Sequence, residues 1–168
     1  MAEIFDIVDE NDVVIGQAER SEVHGNPELF HRVAHVHVFN RFGYLFLQKR
    51  SKNKDLQPGK WDTSVGGHVD SGESYLAAAV RETAEELGII VPEKQFEFLY
   101  KYSFTNDYES ELVSTYRIIW DRDFHLQESE LDDGRFWSME EIQASSESFF
   151  TPNFLSEFDK LRHYMKEK

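Results

Sequence analysis

Apolar residues recur at every second position over much of this chain, in short runs broken by turn residues, and helical spacing is confined to two stretches. Glu3 to Val8 and Val13 to Ala18 read as two strands about the turn Asp9-Glu10-Asn11-Asp12. Val33 to Phe39 alternates and is rich in β-branched residues; Arg41-Phe42-Gly43 then turns into Tyr44 to Gln48, which predicts a hairpin. Trp61 to Val65, Phe96 to Phe104, Leu112 to Trp120 and Arg135 to Ser138 predict further strands. From Ser74 to Leu87 the spacing turns helical, closed by Gly88 just past the last turn, and Asn153 to Met165 predicts a terminal helix. Strands that mostly meander around one central helix predict an α/β (α+β) fold, a mixed β-sheet sandwiched between helices (α/β/α) rather than a doubly wound sheet. No repeat, low-complexity segment or Pro/Gly/Ser linker divides residues 1–168, so one domain is expected.

Fourteen Phe, seven Tyr and three Trp supply a conventional core for 168 residues. The absence of cysteine removes disulfides, thiolate zinc sites and any cysteine nucleophile. No apolar run approaches the roughly 20 residues of a membrane span, and the acidic start Met1-Ala2-Glu3-Ile4-Phe5-Asp6 does not read as a signal peptide. A cytoplasmic protein with no membrane partner is expected. The formal net charge of -14 argues against binding nucleic acid polymers, whose phosphates it would repel. A small anionic substrate stays compatible where positive charge is concentrated, as between residues 49 and 60: Lys49, Arg50, Lys52, Lys54 and Lys60 face the single acid Asp55. Such a run also reads as a solvated loop. Glu128 to Asp133, with four acids in six residues, reads as another.

The helical stretch carries the chemistry. At about 100° per residue, Leu76, Val80, Ala84 and Leu87 fall on one stripe, and Glu82, Glu85 and Glu86 on the opposite side at i, i+3 and i+4. Like charges at those spacings cost a few tenths of a kcal/mol per pair in an isolated helix, so the cluster calls for plain solvation or a cation. Helix geometry alone leaves both open. Hard oxygen ligands suit Mg²⁺ or Mn²⁺. The preceding Gly66-Gly67 and Gly72 permit close backbone approach, so that a carbonyl can turn toward the same cation, and Glu73 beside the helix start is placed to pair with Arg81.

The run Gly67-His68-Val69-Asp70-Ser71-Gly72-Glu73, continuing to Arg81-Glu82-Thr83-Ala84-Glu85-Glu86-Leu87-Gly88-Ile89, resembles the Nudix box G-x5-E-x7-R-E-U-x-E-E-x-G-U over residues 67–89, U being a bulky aliphatic. Thr83 in place of the first aliphatic is a departure that touches packing rather than chemistry. The resemblance implies the Nudix fold and a hydrolase that cuts a diphosphate linkage in a nucleoside diphosphate derivative or similar small substrate. It implies Mg²⁺ or Mn²⁺ held by Glu82, Glu85, Glu86 and the carbonyl of Gly66. A carboxylate, Glu82 or Glu85, would orient or deprotonate the attacking water, while Gly67, Glu73 and Arg81 would be structural. Homodimers are common in the family, and no residue here decides oligomeric state.

A second resemblance runs over most of the chain, to type 1 isopentenyl-diphosphate isomerases of the same fold. Pro58-Gly59-Lys60-Trp61, Ser64-Val65-Gly66-Gly67-His68 and Gly72-Glu73-Ser74 are similar to the isomerase segment P-G-x-W…S-V-C-G-H…G-E-S. This similarity implies diphosphate contacts for Arg50 and Lys54, and a second metal site of His24, His31, His68, Glu109 and Glu111. His35 and His37 share one face of their strand, where they line the cleft or pack. Three departures weigh against isomerisation: the essential isomerase cysteine aligns with Gly66, the R-E-x-x-E-E core from which the isomerases typically depart is complete here, and Asn153 stands where the isomerases usually carry a tryptophan against the hydrocarbon. Hydrolysis is therefore expected, with isomerisation of isopentenyl diphosphate as the alternative.

Overall fold

Along the chain run β1 (Ile4–Val8), β2 (Val14–Glu19), α1 (Arg20–Val23), β3 (Phe30–Phe39), β4 (Leu45–Arg50), β5 (Trp61–Asp62), β6 (Val65–His68), α2 (Tyr75–Leu87), β7 (Glu97–Thr105), β8 (Ser110–Ile119), β9 (Leu131–Trp137), α3 (Met139–Ala144) and α4 (Pro152–Lys166). The structure, a computed structural model, describes residues 3–52, 57–125 and 131–166, with the backbone alone at 131–133. Among the described residues nine strands share one sheet. Its centre is β3, paired in parallel with β8 from Phe30↔Ser110 to Phe39↔Ile119. The opposite edge of β3 is met antiparallel by β1, β6 and β4 in turn. The parallel pair departs from the expected meander: α2 and β7 lie between β3 and β8 in sequence, and parallel neighbours need a long crossover.

Both faces of the sheet are covered. Ala34, Val36 and Val38 of β3 join Tyr116 and Ile118 of β8 against Ala78, Ala79 and Leu87 of α2. The other face packs Phe39, Leu45, Leu47 and Trp137 against Phe154, Phe158 and Leu161 of α4. The two-residue period of β4 sends Leu45 and Leu47 to the α4 side and Phe46 to the α2 side. The expected mixed sheet between helices is the observed architecture.

Several local expectations need correcting. The strand expected over Trp61–Val65 is two strands with different partners, β5 on β4 and β6 on β3. Between them the Ser64 hydroxyl takes over ladder bonds, accepting from Val38 N at 3.0 Å and donating to the carbonyl of Phe46. The buried stripe of α2 is Ala78, Ala79, Thr83 and Leu87, with Leu76 and Val80 at its flank. Thr83 is fully buried, and its hydroxyl is satisfied by Ala79 O at 2.7 Å. Leu131 to Asp133 belong to β9 instead of a loop, while Glu128 to Glu130 lie outside the described residues. The helices α1 and α3 span four and six residues, too short to leave a period in the sequence.

One ionic cluster ties the β1–β2 turn to three elements. Asp12, at φ 63, accepts from Arg32 Nε at 2.7 Å, Lys101 Nζ at 2.6 Å and Tyr75 OH at 3.1 Å. Burial alone would raise its carboxyl, but these donors outweigh it and hold the group below its ordinary 3.8. The resulting stabilisation is present above that value and disappears as pH falls through the lower folded one. Asn tolerates the left-handed backbone as Asp does, so Asp12→Asn isolates the charge. Denaturant titration at neutral pH is expected to show a loss of about 1–3 kcal/mol, with the gap to wild type narrowing below pH 3.8.

Candidate functional site

The loop from β6 into α2 and the helix itself are set by local chemistry. The Ser74 hydroxyl caps α2 by accepting from Ala77 N at 3.0 Å, and Gly88 closes it in the left-handed conformation at φ 68, its N–H reaching Ala84 O. Arg81 then joins loop to helix. Its Nε and Nη2 grip Glu73 bidentately at 2.9 and 2.8 Å, and Nη2 also donates to the His68 carbonyl at 3.0 Å. Arg81 Nη1 reaches Glu82 at 2.7 Å and Glu85 at 3.4 Å. The bond to Arg81 holds the Glu73 carboxyl below its ordinary value.

The three box glutamates occupy different surroundings. Glu85 is 52% exposed on the outer side of the helix. Glu82 lies over Gly67 so closely that a Cβ there would stand 2.2 Å from its Cδ, so any side chain at 67 would displace the Glu82 carboxylate. Glu86 does not face solvent as helix geometry predicts. Its carboxylate turns inward, to Gln48 Nε2 at 3.2 Å and Gly66 N at 3.3 Å. Burial, reinforced by the Glu82 charge, pushes the Glu86 carboxyl up to about 8, and burial raises Glu82 as well. Paired carboxylates resisting ionisation are the situation a divalent cation relieves, so the donor set fits Mg²⁺ or Mn²⁺.

Glu86 and Gly66 open on a cleft of about 420 Å³. Four residues named from sequence meet at its side: donor atoms of His24, His31, His68 and Glu109 lie within 4.8 Å of one another. His24 Nε2 is 3.2 Å from Glu109 Oε2 and 3.4 Å from His68 Nε2, and Glu111 flanks the group 3.7 Å from His31 Nε2. Among the described residues, both ring nitrogens of His31 and Oε2 of Glu109 are buried without a hydrogen bond. Burial drives the His31 ring down to about 4 and the His68 ring to about 3, leaving both neutral, the form that ligates metal. Burial and the Glu109 charge raise Glu111 to about 7.

Arg50 lines the cleft 3.7 Å from Asp62, whereas Lys54 lies outside the described residues. Gln48, Asp62 and Thr63, which sequence reasoning did not single out, line it too, as does Asn153. Gln48 carried a signal: it is the first polar residue after the apolar run Leu45-Phe46-Leu47 of its strand and is buried. His35 and His37 divide between the two roles expected for them, since His35 lines the cleft and His37 is fully buried. Both meet Glu157 of α4, at 2.5 and 3.2 Å. Burial opposes charge on this group, yet the two rings hold the Glu157 carboxyl well below its ordinary value. Glu157 could have been found in the sequence, as an acid within the apolar stripe Phe154, Phe158 and Leu161.

Residues 29–158 match the model of the NUDIX domain. An uncharacterized Nudix hydrolase of Listeria monocytogenes serovar 1/2a is 33% identical over 163 residues, 96% of each chain. Isopentenyl-diphosphate Delta-isomerase 1 of Photorhabdus laumondii subsp. laumondii is 30% identical over 171 residues, covering 92% of this chain and 97% of that one. The crystal structure of DR0079 from Deinococcus radiodurans superposes with a TM-score of 0.68 at 30% identity, over 84% of this chain and 87% of that one. No helix among the described residues is long and apolar enough to cross a membrane. With the family model spanning most of the chain and relatives aligned nearly end to end, the chain belongs to the NUDIX domain family and is a Nudix hydrolase.

Proposed function

We propose that the chain hydrolyses a diphosphate linkage in a nucleoside diphosphate derivative or similar small phosphorylated substrate, with Mg²⁺ or Mn²⁺ bound by the box glutamates. The observation that carries this reading is the cleft itself, where the inward-turned Glu86 carboxylate, the Gly66 backbone and the Arg50 guanidinium face one volume. Glu82, Glu85, Glu86 and the Gly66 carbonyl would hold the cation, which when bound neutralises the diphosphate and lowers the pKa of the attacking water. Glu82 or Glu85 serves as the carboxylate that orients or deprotonates that water. Arg50, with Lys54 four residues further along the chain, pairs with phosphoryl oxygens. Gly67, Glu73 and Arg81 keep the loop and helix in register, and residues 1–168 act as one domain. His24, His31, His68, Glu109 and Glu111 would hold a second divalent ion at the side of the same cleft.

The isomerase reading keeps one observation in its favour, the 30% identity to the Photorhabdus protein. Against it stand the glycine at position 66 in a chain without cysteine, and Asn153, which puts an amide in the cleft where a hydrocarbon would have to lie. Protonation and deprotonation on opposite faces of an allylic carbon need two positioned groups.

The test is release of phosphate and nucleotide from a panel of nucleoside diphosphates and diphosphate-linked nucleotides with Mg²⁺ or Mn²⁺, beside an isopentenyl diphosphate isomerisation assay. Cleavage that stops on chelation and no isomerisation are expected; isomerisation would overturn the reading. Glu86→Gln is expected to lower kcat by about a hundredfold or more while leaving the fold intact, and normal turnover would refute its place at the metal. Gly67→Ala should displace Glu82, giving a similar loss of kcat with the circular dichroism spectrum unchanged. Metal analysis of the purified protein should find a bound transition ion that Glu109→Gln loses.

A further inference from the structure

Glu157 is fully buried in the middle of α4, and five side chains from three adjacent strands surround it. Its Oε1 accepts from Thr115 Oγ1 at 2.7 Å and Tyr100 OH at 3.3 Å and lies 3.2 Å from His37 Nε2. Its Oε2 accepts from Tyr102 OH at 3.1 Å and His35 Nδ1 at 2.5 Å. Fixing α4 to the sheet does not call for a carboxylate. A well-packed apolar residue of the same size would do so at least as well, without the cost of removing charge from water.

His35 separates from the other four partners because its ring also borders the cleft. Nδ1 is taken by Glu157, which fixes the ring plane and prevents a flip. The opposite edge faces Gly66: a Cβ built there would stand 3.1 Å from Cδ2 and 3.3 Å from Nε2 of His35. Among the described residues Nε2 has no hydrogen bond of its own, and Arg50, Gln48 and Glu86 border the same volume. A carboxylate behind an imidazole whose far nitrogen meets a cleft is an arrangement that orients the ring for a ligand.

We propose that His35 is a substrate-contacting residue of this hydrolase, its Nε2 edge meeting a phosphoryl oxygen of the diphosphate beside Gly66, and that Glu157 is its positioning residue. The inference rests on the hydrolytic reading of the cleft. It also gives Gly66 a second reason to lack a side chain, since any Cβ there would crowd the ring edge that the substrate meets. Tyr100, Tyr102, Thr115 and His37 then serve to keep Glu157 in place.

A double-mutant cycle tests the pairing. His35→Gln should lower kcat/KM by about a hundredfold, and Glu157→Gln by roughly ten- to a hundredfold. The double variant should be no slower than His35→Gln alone, because the acid acts through the ring. Additive losses in kcat/KM would overturn the positioning role. Direct contact is read on the wild-type protein, which avoids any folding defect of the variants, by imidazole ¹⁵N NMR during titration with methylenediphosphonate and Mg²⁺. Shifts of both the Gly66 amide and His35 Nε2 are expected. A Gly66 shift with an unmoved His35 Nε2 overturns this inference and leaves the hydrolase reading standing. Neither shifting, in a protein that also cleaves no diphosphate, overturns that reading and this one with it.

Discussion

The strand β3 is hydrogen-bonded along both edges over nearly its whole length, and this leaves each of its side chains only one of two layers to occupy. Ala34, Val36 and Val38 must be apolar because α2 lies on them. His31, Val33, His35 and His37 project to the other side, where the cleft and α4 are. A slip of one residue would exchange the two sets, burying histidines beneath α2 and pointing valines at the cleft. The ten ladder partners on β8 exclude such a slip. Register, more than any single contact, brings the histidines and the box glutamates to one volume.

The electrostatics follow from placing so many acids around that volume. A chain of net charge -14 has to receive an anion, and it does so by local compensation. Arg81 neutralises Glu73 and engages Glu82 and Glu85, while the inward-turned Glu86 accepts from Gln48 and the Gly66 amide. A partly desolvated carboxylate with neutral partners and the Glu82 charge nearby resists ionisation. The His24, His31, His68 and Glu109 group has the same character from the other direction, with the His31 and His68 rings kept neutral and, among the described residues, both ring nitrogens of His31 buried without a hydrogen bond. Both groups would gain by binding a cation at the cleft wall, and a cation there would reverse the sign of the field an incoming diphosphate meets.

Local chemistry was legible in the sequence and long-range pairing was not. The box could be read because its parts lie within one loop and one helix: Ser74 caps, Gly88 terminates, and the eight-residue step from Glu73 to Arg81 brings carboxylate and guanidinium together. The five residues proposed for a second metal came from resemblance, since no periodicity brings His24 and Glu109 together; that takes the β3–β8 pairing. The split of β5 from β6 was hidden because Ser64 replaces backbone bonds with its hydroxyl, which leaves no mark on hydropathy. Glu86 faces inward because the helix leans on β6 through Gly66 and Gly67, residues without side chains to hold it off. A helical wheel places Glu86 with its neighbours and cannot register that tilt.

Position 66 is where the hydrolytic reading and the isomerase resemblance part. A cysteine there would put a reactive sulfur into the cleft and its Cβ against the His35 ring. Glycine does the opposite: it removes the group an allylic proton transfer needs and opens the backbone to the Glu86 carboxylate, whose oxygen comes within 3.3 Å of the Gly66 amide. Hydrolysis of a diphosphate asks for no acid–base pair across a carbon, only for a cation, a positioned water and donors to the phosphoryl oxygens. A backbone that can approach closely, a half-buried carboxylate beside it and an imidazole held by Glu157 are the groups this cleft presents, and the missing side chain at position 66 leaves them room to share it.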